Sequence, residues 1–306
     1  MGGGQWSVET YSSAARTRVE DYRAGRRATA SAFAYSDTGA HSTHPTLDPK
    51  GVVRECRNSD EHPRSLPIAI MFDVTGSMEF VPRLMQEKLP ALFSLLVRSG
   101  VVDPQVLFAA IGDATCDAAP LQVGQFESDN RMDEQLGNIY LEGHGGGQKR
   151  ESYELALYWL ARKTALDSEA EGRKGYAFII GDEMPYPEVM PRARYGAHAG
   201  VAEVIGDALS EPIATEAILA EAQRKFNIFF IAPTSGTSHA GDPEVLGRWR
   251  ELLGENLLEV ADMGNICEEI ADKIRLGEHL ADLAAEASAV TATVVATAVA
   301  TVTAAP

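Results

Sequence analysis

Residues 67–78 of the chain read PIAIMFDVTGSM, and they give the strongest sequence signal for the fold class. Its first half is a short unbroken apolar run, which predicts a strand buried on both faces, as in a parallel sheet covered by helices. The run stops at Asp73, and Thr75 and Ser77 follow at alternate positions before the pattern turns helical at Met78. Oxygen-bearing side chains therefore lie on a tight loop at the carboxyl end of a buried strand. Open α/β sheets bind their ligands at that edge.

Outward from this stretch, the chain alternates apolar runs with helical patterns. Further buried strands are predicted at 105–112, 176–180, 226–232 and 257–260, and a more alternating edge strand at 121–126 is expected to run antiparallel to its predecessor. Helices are predicted at 79–98, 129–136, 153–164, 200–208, 211–224, 243–253 and 266–285, with a kink at Pro90 in the first of them. The alternation predicts an α/β fold, a doubly wound, mostly parallel sheet flanked by helices, with an antiparallel edge strand.

The buried strands share one feature at their ends. Asp73, Asp113 and Asp182 each follow a strand, and a glycine-rich segment at 143–147 precedes the helix that opens near residue 153. Because the carboxyl ends of parallel strands meet at one edge of a sheet, we expect these acids and the glycine-rich segment to lie close together. The spacing of the glycines matches neither a P-loop nor a dinucleotide fingerprint, so a phosphate cradle is not predicted.

The two ends of the chain have other compositions. Residues 1–65 are predicted to form a helix over 8–34 and then an extended polar arm over 36–65, which wraps the domain or binds a partner. The arm holds His41, His44 and His62, whose spacing resembles no usual zinc ligand set, so they are interpreted as surface histidines. Residues 276–306 are interpreted as the end of the last helix and a low-complexity Ala/Val/Thr tail, which leaves 66–275 as the main domain.

Charge and composition narrow the classes of function. With 27 Lys plus Arg against 44 Asp plus Glu, the net charge is -17, which argues against nucleic-acid or anionic-membrane surfaces because both demand basic patches. The 3 cysteines fit neither a disulfide framework nor a zinc pair and are interpreted as reduced thiols. No secretory signal is visible at the N-terminus, and the tail is too short and too weakly apolar for a spanning helix. We therefore expect a cytoplasmic protein with no membrane partner.

The loop after the first buried strand carries the most specific chemistry. Asp73, Thr75 and Ser77 offer a carboxylate and two hydroxyls, hard oxygen ligands that suit Mg²⁺, Mn²⁺ or Ca²⁺. The structural alternative is an Asx turn with Ser77 as a helix N-cap, since these residue types favour caps anyway. The position of the loop, after a buried strand and beside other strand-end acids, favours the metal site.

On these residues the sequence resembles the von Willebrand factor A (vWA) domain family, in its intracellular bacterial-type variant. The motif that carries the resemblance is Asp73-Val74-Thr75-Gly76-Ser77-Met78. The resemblance covers 66–275 and implies a metal-ion-dependent adhesion site in which Asp73, Thr75 and Ser77 hold the ion together with Asp182. A residue of the glycine-rich loop is expected to complete the site. Glu151 is our first choice for this residue, and Gln148 and Ser152 are the alternatives. Asp113 is expected either to bind the ion itself or to hydrogen-bond to one of its ligands.

The predicted function is therefore a metal-dependent protein-binding module and not an enzyme. The resemblance implies that the cation coordinates an acidic group of a protein partner, with ATPases and kinases as partner classes. One alternative is a magnesium-dependent phosphohydrolase or phosphotransferase with Asp73 as nucleophile. That chemistry calls for an acid two residues later, where this chain has Thr75. A further alternative is a scaffold with a degenerate metal site.

Overall fold

A central β-sheet forms the middle of the molecule. The computed structural model describes residues 4–27, 30–143, 147–193 and 198–283 of the chain. Within these ranges the sheet has 6 strands. Its strands are β1 (Leu66–Asp73), β2 (Pro104–Ile111), β3 (Leu121–Val123), β4 (Gly175–Ile180), β5 (Phe226–Pro233) and β6 (Leu257–Val260).

The strand order is β6-β5-β4-β1-β2-β3, and only β3 runs antiparallel to its neighbour. After β1 the chain adds β2 and β3 on one side of the sheet, and after β4 it adds β5 and β6 on the other side. Adjacent strands whose connections leave in opposite directions open a crevice at their carboxyl ends, which is where doubly wound sheets bind ligands. This order confirms the predicted fold class, and it places Asp73 and Asp182 on the two sides of that crevice.

Strand β1 lies at the centre of two hydrophobic cores. All of its residues are buried, and because side chains alternate along a strand, Ala69 and Met71 enter one core while Ile68, Ile70 and Phe72 enter the other. This double burial is the physical reason for the unbroken apolar run in the sequence.

Helices cover both faces of the sheet. The described helices are α1 (Val8–Arg23), α2 (Phe80–Arg98), α3 (Arg131–Gly137), α4 (Tyr153–Arg162), α5 (Asp167–Ala170), α6 (Val201–Val204), α7 (Thr215–Ala222), α8 (Pro243–Leu253) and α9 (266–283). Short 3-10 turns lie at Ser36–Thr38, Gly76–Met78, Gly254–Asn256 and Met263–Asn265. Buried residues of α4, α7 and α8 join one core, and those of α1, α2, α3 and α9 join the other.

Several predicted boundaries are wrong. The first helix ends at Arg23 and not near residue 34, because the chain turns at Ala24 and takes a left-handed conformation at Gly25, where φ is 69°. The helices predicted at 200–208 and 211–224 shrink to α6 and α7, and the edge strand predicted at 121–126 ends at Val123. Helix α2 runs through Pro90 as one element.

Short strand pairs were not predicted, because two- and three-residue strands carry too little periodicity to detect. Arg54–Cys56 pairs with Thr164–Leu166 in parallel, Arg150–Glu151 pairs with Met184–Pro185 in parallel, and Glu188–Val189 pairs antiparallel with Ile213–Ala214. The first pair fastens the polar arm to the domain. The second brings the residues after the glycine-rich segment to the carboxyl edge of the sheet.

The N-terminal segment packs on the main domain. The Trp6 ring stacks on Phe93 of α2 at 4.9 Å, and the Tyr11 hydroxyl donates to the Gln86 carbonyl at 2.6 Å. Leu47 of the polar arm is buried in the same core. Across the described ranges, no helix has both the length and the apolar character needed to cross a bilayer. The Ala/Val/Thr tail lies outside the described residues.

Candidate metal centre

The loop after β1 folds back on its own carboxylate. The Asp73 side chain is fully buried, and its Oδ1 accepts from the Thr75 backbone N–H at 2.7 Å and from the Thr75 hydroxyl at 2.7 Å. The chain then turns through Gly76, whose φ of 42° favours glycine. As a result Thr75 is buried beside Asp73, while Gly76 is exposed and Ser77 is half-buried at the mouth of the loop.

Glu151 reaches this loop from the glycine-rich segment. Its Oε1 lies 3.0 Å from the Thr75 hydroxyl oxygen, and the side chain is 1% exposed. The other oxygen, Oε2, has no hydrogen-bond partner among the described residues. A threonine hydroxyl has a single proton, so it cannot donate to Asp73 and to Glu151 at once. With both acids ionised, the arrangement therefore holds more acceptors than donors, which is costly in a buried place.

Burial is the largest cause of the pKa shifts of Asp73 and Glu151. It raises the pKa of Asp73 from 3.8 to about 7, and the charge of Asp182 contributes in the same direction. Burial also raises the pKa of Glu151 far above its ordinary range, with the charge of Asp73 as the next cause. Among the described residues, no lysine or arginine forms an ion pair with Asp73, Glu151 or Asp182. Neutralisation of these acids thus requires protons or a cation from outside.

Ser77 and Asp182 are held at the same edge by the loop that follows β5. The Ser238 backbone N–H donates to Ser77 Oγ at 2.7 Å, and the next residue, His239, donates its N–H to Asp182 Oδ2 at 2.9 Å. Lys149 ties this loop to the glycine-rich segment through an ion pair with Asp242 at 2.7 Å. The predicted ligands therefore form a contacting trio, Asp73, Thr75 and Glu151, with Ser77 and Asp182 joined to each other through consecutive backbone amides.

The loop after β2 has the same Asp-x-Thr turn as the loop after β1, but the neighbouring side chain from the glycine-rich segment is a hydrogen-bond donor. Asp113 Oδ1 accepts from the Thr115 N–H at 2.8 Å, and its Oδ2 accepts from the Thr115 hydroxyl at 2.7 Å. Here the neighbouring side chain from the glycine-rich segment is the Gln148 amide, which donates to Asp113 Oδ2. The Tyr186 hydroxyl contacts both Asp113 oxygens, at 3.1 and 3.2 Å. Donors thus complete the Asp113 side chain, and the Asp117 carboxylate in the same loop accepts from the Asp113 N–H at 2.6 Å. At the loop of Asp73, by contrast, Glu151 brings a carboxyl group with one oxygen that has no hydrogen-bond partner among the described residues.

Ser152 has a structural position between these loops. Its Oγ accepts from the Ala114 N–H at 2.9 Å, and its own N–H donates to the Gly112 carbonyl at 3.3 Å. These bonds fasten the end of the glycine-rich segment to the end of β2. Residues 144–146 of that segment lie outside the described residues.

Sequence reasoning missed two residues of this centre. The Tyr153 hydroxyl donates to Asp73 Oδ2 at 3.2 Å, and the residue is fully buried at the start of α4. Glu183 lies beside Asp182, has an Oε2 without a hydrogen-bond partner, and its pKa is raised to about 9 by burial and by the charges of Asp73 and Asp182. The only sequence signal for Tyr153 was its place two residues after Glu151; Glu183 directly follows a predicted ligand.

The donor set suits a hard divalent cation. Carboxylates and hydroxyls are the ligands that such cations take, and an orphaned buried carboxylate oxygen at Glu151 is the kind of group that a cation would satisfy. Within the described ranges, no group of three or more His, Cys, Asp or Glu side chains forms a ready-made metal site. Among the described residues, the three acids Asp73, Glu151 and Asp182 therefore do not converge as a ready-made ligand cluster. Direct contacts join only Asp73, Thr75 and Glu151, while the loop after β5 holds Ser77 and Asp182 at the same edge.

Comparison with known proteins finds only distant structural similarity. No family model matches the chain, and no curated protein matches it. Among solved structures, the pilus adhesin SpaC from Lactobacillus rhamnosus GG is 9% identical, with 74% of this chain and 31% of that chain covered and a TM-score of 0.47. The PilB minor pilin from Streptococcus sanguinis is 10% identical, with 74% and 62% covered and a TM-score of 0.42.

A third similar structure is proximal thread matrix protein 1 from the mussel byssus, with a zinc-occupied MIDAS motif. It is 10% identical, with 70% of this chain and 46% of that chain covered and a TM-score of 0.40. This chain spans less than two thirds of the length of each of the three structures. At these scores the likeness carries no conclusion about a shared function.

Proposed function

We propose that the chain is a metal-dependent protein-binding module. In this proposal Asp73, Thr75, Ser77, Glu151 and Asp182 hold a divalent cation, Mg²⁺ or alternatively Mn²⁺ or Ca²⁺, at the carboxyl edge of the sheet. When bound, the cation would offset the buried negative charge and present an open coordination position to an acidic group of a partner.

The contrast between the two strand-end loops carries the proposal. Both loops have the same Asp-x-Thr turn, but Asp113 receives an amide from Gln148, whereas Glu151 brings a carboxyl group to the loop of Asp73. A buried carboxylate is tolerated when donors or a counter-charge satisfy it. The loop of Asp113 has its donors within the protein. The loop of Asp73 has one tyrosine hydroxyl and its own threonine, against two carboxyl groups.

The same geometry favours binding over catalysis. As a nucleophile Asp73 would have to contact the phosphorus atom of a substrate, but the residue is 0% exposed. Position 75 supplies a hydroxyl where a phosphohydrolase of this type would need an acid. We therefore place the contact with the partner at the mouth of the loop, where Gly76 and Ser238 are exposed and Ser77 is half-buried.

Membership in the vWA family, a cytoplasmic location and a partner of the ATPase or kinase class belong to the proposal as well. Family membership and the class of partner rest on the resemblance of the Asp73 loop to the family motif, and the cytoplasmic location rests on the expectation given under Sequence analysis. The acidic character of the partner group follows from the chemistry of the site, because an open position on a hard cation prefers an anionic oxygen.

Thermal unfolding in the presence of cations tests the site. A ligand that binds only the folded state stabilises it by about 2.7 kcal/mol at 100 times its Kd. After treatment with a chelator, millimolar Mg²⁺, Mn²⁺ or Ca²⁺ should raise the melting temperature of the wild type but not of Asp73→Ala. Ser77→Ala, at the half-buried mouth, is a milder variant in case Asp73→Ala does not fold. Thr115→Ala, in the matching turn after β2, should keep the response.

A metal-dependent pull-down tests recognition. A partner retained with the cation should be lost with chelator, with Asp73→Ala, and after chemical amidation of the partner's carboxyl groups, while Thr115→Ala should retain it. If no cation shifts the melting temperature, the site is a degenerate scaffold and the proposal fails. If retention survives amidation of the partner, the acidic group is the wrong assignment.

A further inference from the structure

We infer that Tyr153 is a positioning residue that sets the cation selectivity of this centre, in favour of Mg²⁺ over Ca²⁺. The inference rests on the proposed function, since it concerns the same cation. It begins with the lone pairs of Asp73. A carboxylate has about four acceptor positions. The Thr75 N–H and hydroxyl take two on Oδ1, both at 2.7 Å, and the Tyr153 hydroxyl takes one on Oδ2 at 3.2 Å.

Asp73 is therefore left with a single free position, on Oδ2. It can offer one oxygen to a cation, but it cannot chelate with both oxygens while the Thr75 bonds are in place. The Tyr153 hydroxyl also occupies the space beside that oxygen, where an additional ligand or water would otherwise lie.

Packing fixes the tyrosine in this place. Its ring is fully buried and meets the rings of Phe230 and Trp249 edge-on, with centroids 5.6 and 5.5 Å away. On the other side lies Gly181, where an added Cβ would come within 1.9 Å of the Tyr153 hydroxyl oxygen. Because the ring has no room to withdraw and Gly181 has no side chain, the hydroxyl is held against Asp73.

The chemistry of the two cations links this geometry to selectivity. Mg²⁺ is small, demands octahedral geometry and is held by one or two carboxylates, whereas Ca²⁺ takes six to eight oxygens and accepts bidentate carboxylates. Asp73 can offer one oxygen to a cation, and the Tyr153 hydroxyl fills the space beside that oxygen. This arrangement suits the smaller ion, Mg²⁺. Removal of the Tyr153 hydroxyl leaves Asp73 a one-oxygen ligand, because the Thr75 bonds to Oδ1 remain. It opens room beside Oδ2 for another ligand, which favours the ion with the higher coordination number.

Calorimetric titration of the full chain with Mg²⁺ and with Ca²⁺ tests the inference on Tyr153→Phe. Loss of a hydrogen-bond partner of a metal ligand lowers metal affinity by about 10–100-fold. We expect that loss for Mg²⁺ and a smaller loss for Ca²⁺, so that the ratio of the two affinities moves toward Ca²⁺ by about tenfold. Tyr158→Phe is the matched control, because Tyr158 lies on the same helix and donates to Asp207 Oδ2 at the same 3.2 Å.

The outcomes separate the inference from the proposed function. If the wild type binds neither cation, the proposed function fails. If the wild type binds and Tyr153→Phe lowers both affinities equally, or if Tyr158→Phe moves the ratio as much, Tyr153 has a structural role only and the inference is overturned. Should Tyr153→Phe not fold, Phe230→Leu loosens the edge-on contact that holds the ring, and it must move the ratio in the same direction.

Discussion

The Glu151 carboxyl oxygen Oε1 lies 3.0 Å from the Thr75 hydroxyl oxygen, and this contact joins residues 76 positions apart in the chain. It exists because the strand Arg150–Glu151 pairs with Met184–Pro185, just beyond the end of β4. The contact brings a second buried carboxyl group to the loop of Asp73, where the matching loop of Asp113 has an amide.

Glu151→Gln should stabilise the metal-free protein and abolish its response to cations. The amide would supply the donor that the loop of Asp73 lacks, as Gln148 does for Asp113, and an unsatisfied buried group costs about 1–3 kcal/mol. Urea unfolding with chelator and with Mg²⁺ measures both effects. The control is Glu154→Gln, because Glu154 is also fully buried with an unpartnered Oε1. A cation response that survives Glu151→Gln would remove Glu151 from the site.

Gln148→Glu should make the loop of Asp113 resemble the loop of Asp73. The substitution places a carboxylate against buried Asp113 and removes a donor, so we expect the metal-free protein to lose about 1–3 kcal/mol of stability. Part of that loss should return with millimolar Mg²⁺ or Ca²⁺, beyond the response of the wild type. A loss of stability that no cation offsets would show that the turn and a paired acid are not sufficient for a cation site.

Gly181→Ala should destabilise the fold and weaken cation binding together. The new methyl group would meet the Tyr153 hydroxyl oxygen at 1.9 Å and a ring carbon at 2.7 Å, inside a packed core. Overpacking of this kind costs about 1–3 kcal/mol. Gly247→Ala is the control, since nothing lies within 4 Å of its added Cβ in helix α8, where alanine is favoured over glycine by about 0.5–1 kcal/mol. Equal melting temperatures for the two variants would contradict the packing described for Tyr153.

The stability of the metal-free protein should fall as the pH rises from about 4 to about 7. Burial raises the pKa of Asp73 from 3.8 to about 7, so the folded state binds more protons than the unfolded state in this window. The contribution is fully present below the unfolded pKa and is lost as the pH passes the folded pKa, at up to about 1.4 kcal/mol per pH unit for each proton.

Urea unfolding with chelator at several pH values measures this slope. Asp73→Asn should reduce it, and the remainder should come from Glu151 and Glu183, whose pKa values burial also raises. With saturating Mg²⁺ the slope should diminish or reverse, because cation binding requires the deprotonated carboxylate. A metal-free protein whose stability rises with pH across the window, in wild type and Asp73→Asn alike, would contradict the burial of an unpaired acid at position 73.

The sequence predicted what depends on long apolar runs. The strand at 67–73 and its terminal Asp73 were recognisable because burial on both faces requires a continuous apolar stretch, and alternation with helices gave the doubly wound sheet. The pairing of Arg150–Glu151 with Met184–Pro185 could not be predicted, since two residues carry no period. For Tyr153 the sequence predicts only the start of a helix, because nothing in the sequence places its hydroxyl against Asp73.

In the proposed function a divalent cation binds at the edge of the sheet beside Asp73, and calorimetric titration of the chelator-treated chain measures that binding. With Mg²⁺, Mn²⁺ or Ca²⁺ we expect saturable binding of about one ion per chain in the wild type and in Thr115→Ala, and no binding at that site in Asp73→Ala. Absence of binding for all three cations at millimolar concentration, or equal binding in Asp73→Ala, would contradict the proposed function.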